Sequence, residues 1–172
     1  MTSENSTELS RWREMRSADL PDVSRVAAVA HPLYPEGDAV FAERLQLYPA
    51  GSRVLINETG AVQGYVVSHP WNQGAIPALD SLLGALPPAA DSYYIHDIAL
   101  LPQARGRGAA QDCITILAEH AARARFATMS IVAIAGTQAF WERQGFRVVD
   151  LPSLTDKLAS YDPSARYMSR AL

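Results

Sequence analysis

The apolar positions of the chain fall into blocks whose spacing changes along its length. "RWREMRSAD" predicts a first strand, with Ser17 or Asp19 as a cap for the next segment. In "LPDVSRVAAVAH", Val23, Val26, Ala27 and Ala30 recur on one helical face behind Pro21. Pro32 and Pro35 end that helix, and Phe41, Leu45 and Tyr48 recur at helical spacing in "GDAVFAERLQLY". "SRVLIN" and "AVQGYVVSH" flank "ETG" and predict a hairpin, in which Gly64 marks a bulge or a close backbone approach. Residues 69–91 carry four prolines and two glycines. That is long for a plain connection, so a lid or a decorated loop is expected there.

From residue 92 the pattern changes. "SYYIHDIALL" is apolar on both faces toward its end, as a central strand is. "AAQDCITILAEHAARAR" places Ala110, Ile114, Leu117 and Ala121 on one helical stripe. "MSIVAIA" predicts a buried strand, "TQAFWERQ" a short helix, "GFRVVD" a further strand, and "RYMSRAL" closes the sheet. This alternation defines an α/β domain with a mixed sheet over residues 9–172, preceded by a disordered stretch at 1–8.

Composition narrows the function. A net charge of −3 argues against bulk electrostatic binding to nucleic acid or anionic membrane, so any anion site is local. The single cysteine, Cys113, allows no internal disulfide. The polar start "MTSENSTELS" lacks a basic-then-apolar leader, so a soluble, cytoplasmic protein is expected. No metal site is expected, and the chain reads as a monomer or homodimer.

The candidate anion site is "LPQARGRGAAQ", where a strand feeds a glycine turn that opens a helix. Glycines let the backbone approach a phosphate, the first helical N–H groups and the helix dipole favour it, and Arg105 and Arg107 add cationic contacts. A P-loop would need Lys-Ser or Lys-Thr, which is missing. The dinucleotide fingerprint fails at Gln111, where its third glycine belongs.

Gln103-x-x-Gly106-x-Gly108 resembles the Q/R-x-x-G-x-G/A signature of the GCN5-related N-acetyltransferase (GNAT) superfamily, and "AFWERQGF" resembles its second signature. "HPLYPEGDAVFAERLQLYPAGSRVL", "SHPW" and "IHDIALLPQARGRG" together are most similar to the arylalkylamine (serotonin-type) branch. The resemblance implies a mixed, mostly antiparallel sheet of about six to seven strands flanked by helices. It implies acetyl-coenzyme A as co-substrate, bound by Ile98, Ala99, Leu100, Gln103, Ala104, Arg105, Gly106, Arg107, Gly108, Ala109, Phe140 and Trp141. The activity implied is direct acetyl transfer to a small primary amine such as an arylalkylamine or polyamine. Protein or peptide N-acetylation is the first alternative, and a coenzyme A-binding sensor with little turnover is the second.

An alkylammonium has a pKa near about 10 and must lose its proton before it can attack, and histidine suits that task. His96 matches one strand histidine of the branch and is the expected base. Tyr94 stands where the second histidine belongs and is a candidate acid. Period-two alternation places Tyr94, His96, Ile98 and Leu100 on one face and aims Asp97 at the other, where a structural role is expected. Trp141 replaces the family's tyrosine acid. Cys113 is expected to be core and His120 to be solvated surface. Tyr34, Phe41, His69 and Trp71 are expected in the acceptor wall, with His31 and Leu82 as further candidates. Glu36 and Asp38 could attract a cationic amine, although loop or capping roles are expected first.

Overall fold

In the computed structural model, which describes residues 11–172, seven strands form one sheet. The expected disorder at 1–8 lies outside the described residues. The elements run β1 (Arg11–Glu14), α1 (Leu20–Ala30), α2 (Asp38–Leu47), β2 (Ser52–Ile56), β3 (Val62–Trp71), β4 (Ser92–Leu100), α3 (Ala109–Arg123), β5 (Thr128–Ala133), α4 (Gln138–Arg143), β6 (Arg147–Val148), α5 (Thr155–Tyr161) and β7 (Arg166–Ala171). Spatial order is β1-β2-β3-β4-β5-β7-β6. All neighbours are antiparallel except β4 and β5, which the α3 crossover makes parallel. The expected α/β fold with a mixed, mostly antiparallel sheet is the one observed.

Two apolar layers cover the sheet. On one face Val23 and Val26 of α1 and Phe41 and Leu45 of α2 pack on Val54, Tyr65, Val67 and Ala99. On the other, Cys113, Ile114, Leu117 and Ala121 of α3 pack on Tyr93, Ile95, Met129 and Ile131. The α3 stripe is as its spacing predicts, save that Ala110 is only half-buried and Ala109 and Ala118 complete the face. Gly64 marks a close approach: a Cβ there would stand 2.6 Å from Leu100 Cδ2 and 2.8 Å from the Ala99 carbonyl.

Two features depart from the pattern. The register of β3 on β4 slips between Val67, which faces Asp97, and Ser68, which faces Ile95. His96 is therefore the extra residue of a β-bulge, and alternation restarts after it. Asp97 thus shares the face of Tyr94 and His96, while Ile98 crosses to the α3 side and packs with that core. The second departure is α5, for which the pattern gave no element. It is short and hemmed by Pro152 and Pro163, yet its N-cap residue Leu154 is buried beside Tyr94, Tyr167 and Ile76, with Leu158 and Tyr161 of the helix packed against them. Among the described residues, no helix is long and apolar enough to cross a membrane.

Candidate active site

Pairing of β4 with β5 stops at Ile95 and Ile131, although both strands continue beyond that point. The two strands splay, and a cavity of about 540 Å³ opens between them. One wall is the outer half of β4, from His96 to Leu100; the other runs from Ile131 through Gly136 to Phe140 and Trp141. His31, Leu33, Tyr34 and Glu36 close it from the α1–α2 connection, and Tyr161 closes it from α5.

Leu101 N–H donates to Gln63 O on the β3 side. Alternation therefore turns the backbone groups of Ile98 and Leu100 toward the splayed gap. Their carbonyls already accept, from His31 Nε2 at 3.2 Å and Arg105 Nε at 3.0 Å, so the amides are what this edge offers. At the end of β4 the turn lifts Gly106 and Gly108 into positive φ, +76° and +80°, and a Cβ on either would meet nothing within 4 Å. Asp112 N–H makes the α3 bond back to Gly108 O, so the amides of Ala109, Ala110 and Gln111 precede it at the helix mouth. Trp12 Nε1 donates to Ala109 O at 2.8 Å and pins that mouth to β1. This open, glycine-lined cradle fits a pyrophosphate. Arg105 lines the cavity; Gln103 reaches away, to Gln63 Oε1 at 2.9 Å. Phe140 and the buried Trp141 stack edge-on with ring centroids 5.2 Å apart on the opposite wall.

The bulge gathers the titratable groups. His96 Nε2 lies between both carboxylate oxygens of Glu36, at 3.0 and 2.9 Å, and both side chains are nearly buried. Next to it, Asp97 accepts from Tyr65 Oη and from His31 Nε2, the latter at 3.0 Å. Burial pulls the His31 pKa down, but the hydrogen bond and charge of Asp97 outweigh it, and the net shift is upward. Asp97 moves the other way: burial would raise it, and His31 and Tyr65 hold it below the ordinary carboxylate range. Tyr34 donates to Asp162 at 2.6 Å, and burial with that hydrogen bond pushes its pKa up to about 12.

Several expected positions differ. Asp97 faces the site, because the bulge at His96 breaks the alternation that was to turn it away. Glu36 is paired with His96 rather than solvated, whereas Asp38 serves locally, accepting from Ser24 at 2.7 Å. Phe41 lies in the core, edge-on to Tyr65, and does not line the cavity. His69 and Trp71 stand on β3 behind β4, and neither lines it. Leu82 is exposed on the long loop, away from the cavity. Tyr94 does line it, but its side chain is almost wholly buried among Ile76, Leu154 and Tyr167. Cys113 is core, with burial pushing its thiol far up, and His120 is half-buried and bonded to Tyr48 Oη at 2.8 Å rather than simply solvated. Tyr161 is absent from the sequence-derived candidates because α5 is too short to show in the apolar spacing.

A splayed parallel strand pair with an open backbone edge, leading to a glycine turn at a helix mouth, suits a long ligand that ends in a pyrophosphate. Residues 10–146 match the family model described as "Acetyltransferase (GNAT) family", and the chain belongs to that family. Among solved structures, it is similar to the GphF GNAT-like decarboxylase in complex with isobutyryl-CoA, at 18% identity and TM-score 0.77, covering 94% of this chain and 98% of that one. It is similar to the ribosomal-protein-S18-alanine N-acetyltransferase from Escherichia coli (17%, TM-score 0.67, covering 95% and 94%). A GCN5-related N-acetyltransferase from Kribbella flavida is also similar (22%, TM-score 0.65, covering 95% and 98%). No curated protein matches the chain significantly. The neighbours' chemistries differ, so the likeness carries the fold and leaves the acceptor open.

Proposed function

We infer that this acetyltransferase acetylates a small primary amine, of the arylalkylamine or polyamine kind, by direct attack on acetyl-coenzyme A. The observation that carries this reading is the pair of carboxylates, Glu36 and Asp97, lining the cavity beside the open edge of β4. They draw an ammonium group to the place where an acetyl carbonyl would lie, and Leu33, Tyr34, Leu79 and Tyr161 supply apolar wall for its organic part.

The Glu36–His96 pair acts as the proton acceptor. The amine gives its proton to the Glu36 carboxylate, steadied by His96 Nε2–H, and the freed nitrogen attacks the acetyl carbon. The Ile98 amide donates to the carbonyl oxygen as charge develops there. The N–C bond forms, the C–S bond breaks, and the thiolate leaves with the electron pair. A thiolate is a fair leaving group, so Trp141, which has no acidic proton to give, is compatible with turnover.

Free-thiol release measured with acetyl-coenzyme A and a panel of arylalkylamines, polyamines and N-terminal peptides tests this. Small amines are expected to release thiol, and Glu36→Gln and His96→Ala are expected to lower kcat by about 10²–10⁴ while coenzyme affinity is kept. Turnover confined to peptides would replace the proposal with protein acetylation.

A further inference from the structure

One carboxylate oxygen joins two rims of the cavity. Asp162, the residue after α5, presents Oδ2 to the Tyr34 hydroxyl at 2.6 Å and to the Ala135 amide at 3.1 Å. Tyr34 belongs to the α1–α2 connection and Ala135 to the wall that continues β5, and both line the cavity. Asp162 itself stands just outside that lining. Tyr161, one residue earlier, lines the cavity and donates to Pro77 O of the long loop at 2.6 Å. The α1–α2 connection, the long loop and the β5 wall therefore all meet at residues 161–162.

The post that holds them is fixed by its own turn. Asp162 Oδ1 accepts from Ser164 N and Ser164 Oγ, each at 2.6 Å, and the Asp162 carbonyl accepts from Ala165 N at 3.2 Å. Pro163 confines Asp162 to the extended backbone it shows, with φ of −164° and ψ of 166°. Burial would raise the Asp162 pKa, but its hydrogen bonds from Ser164, Tyr34 and Ala135 hold it down at about 2. With Tyr34 pushed up to about 12, both partners keep the forms that bond, and a contact of this length is of the charge-assisted kind.

The bridge lies at the acceptor end. Glu36 follows Tyr34 by two residues, and its charge is felt at Tyr161 on the α5 side. An acceptor whose nitrogen sits at Glu36 therefore has its organic part between the α1–α2 connection and α5, where the bridge crosses. Oxygens 2.6 Å apart are in contact, and nothing passes between them. A compact amine ends before this line. A polypeptide carries on, and extended chains packed side by side need about 4.8 Å between them. We propose that the Tyr34–Asp162–Ala135 clasp sets acceptor size, admitting an amine that ends inside the cavity and barring a polypeptide whose chain continues beyond it. The clasp deepens the small-amine reading above and rests on it.

Two conjugates of coenzyme A, each joined at sulfur through an acetyl bridge, read the clasp by binding alone. One carries phenethylamine, and the other carries hexa-alanine amide attached by its N-terminus. Calorimetry on the full chain is expected to show the phenethylamine conjugate bound about tenfold more tightly by the parent protein. Tyr34→Phe removes the hydroxyl and keeps the ring, whereas Asp162→Ala frees both rims. Each is expected to shrink the ratio of the two Kd values by about tenfold, the open population gained when a charge-assisted hydrogen bond is lost. Equal affinity for both conjugates in the parent overturns the proposal, as does a ratio that neither variant moves. Should Asp162→Ala not fold, Tyr34→Phe decides. Binding as expected without acetylation of any amine would sink the functional reading and leave the clasp standing.

Discussion

At the scale of single residues, the His31–Asp97 contact is one whose energy is tied to pH. His31 is shifted up by Asp97, and Asp97 is shifted down by His31 and Tyr65. A histidine raised in the folded state contributes stability that is complete below its unfolded pKa of about 6.5 and is lost as pH climbs through the folded value. A depressed carboxylate contributes above about 3.9 and loses that contribution as pH falls through its lower folded value. The pair therefore stabilises the fold most between about pH 4 and pH 6.5. Urea midpoints measured from pH 5 to pH 9 should fall across the His31 titration in the parent protein. Asp97→Asn should remove most of that fall, and an unchanged slope would show that the contact is not coupled to folding.

At the scale of elements, apolar spacing located eleven of the twelve α-helices and strands among the described residues, including β4 and the helix that follows the glycine turn. The fold was legible because most of those segments bury enough apolar side chains to show a strand or helix period, β3 and β4 on both faces. The site was legible only up to the bulge. A one-residue register slip at His96 cannot be read from β4 alone, because it depends on how β3 pairs with it. That slip brings Asp97 to the site, while Phe41, His69 and Trp71 were misplaced because an aromatic near a loop looks the same in sequence whether it lines a cavity or lies behind it. α5 was hidden by its length, although it holds the long loop. Tyr161 Oη donates to Pro77 O at 2.6 Å and Lys157 Nζ to Ile76 O at 2.9 Å, while Glu43 takes the amides of Leu83 and Gly84. Loss of one such bond is worth about 1 kcal/mol. Tyr161→Phe should therefore speed amide exchange across residues 75–80 by roughly fivefold to tenfold, read by mass spectrometry, and raise the KM of the amine. Unchanged exchange would assign the tether to Lys157 and Glu43 instead.

At the scale of the molecule, the sheet is two halves joined by the short parallel contact of β4 with β5, and the cavity lies where that contact ends. A ligand lodged there touches both halves, so its binding energy adds to the stability of the whole sheet. At one hundred times its Kd, a ligand of the folded state alone adds about 2.7 kcal/mol. For a chain of this length, each kcal/mol moves Tm by about 2–4 °C, so acetyl-coenzyme A should raise it by roughly 5–10 °C. Two glycines separate the cause of that shift from general strain. Gly108 and Gly60 have φ of +80° and +83°, and a Cβ on either meets nothing within 4 Å, so valine at either site strains the backbone to a similar degree. Gly60 sits in the β2–β3 turn, away from the cavity, whereas Gly108 opens α3 at the cradle. Gly108→Val should lose the coenzyme-induced shift and Gly60→Val should keep it, with both parent values lowered by comparable amounts. If Gly108→Val also keeps the shift, the pyrophosphate does not sit on this turn.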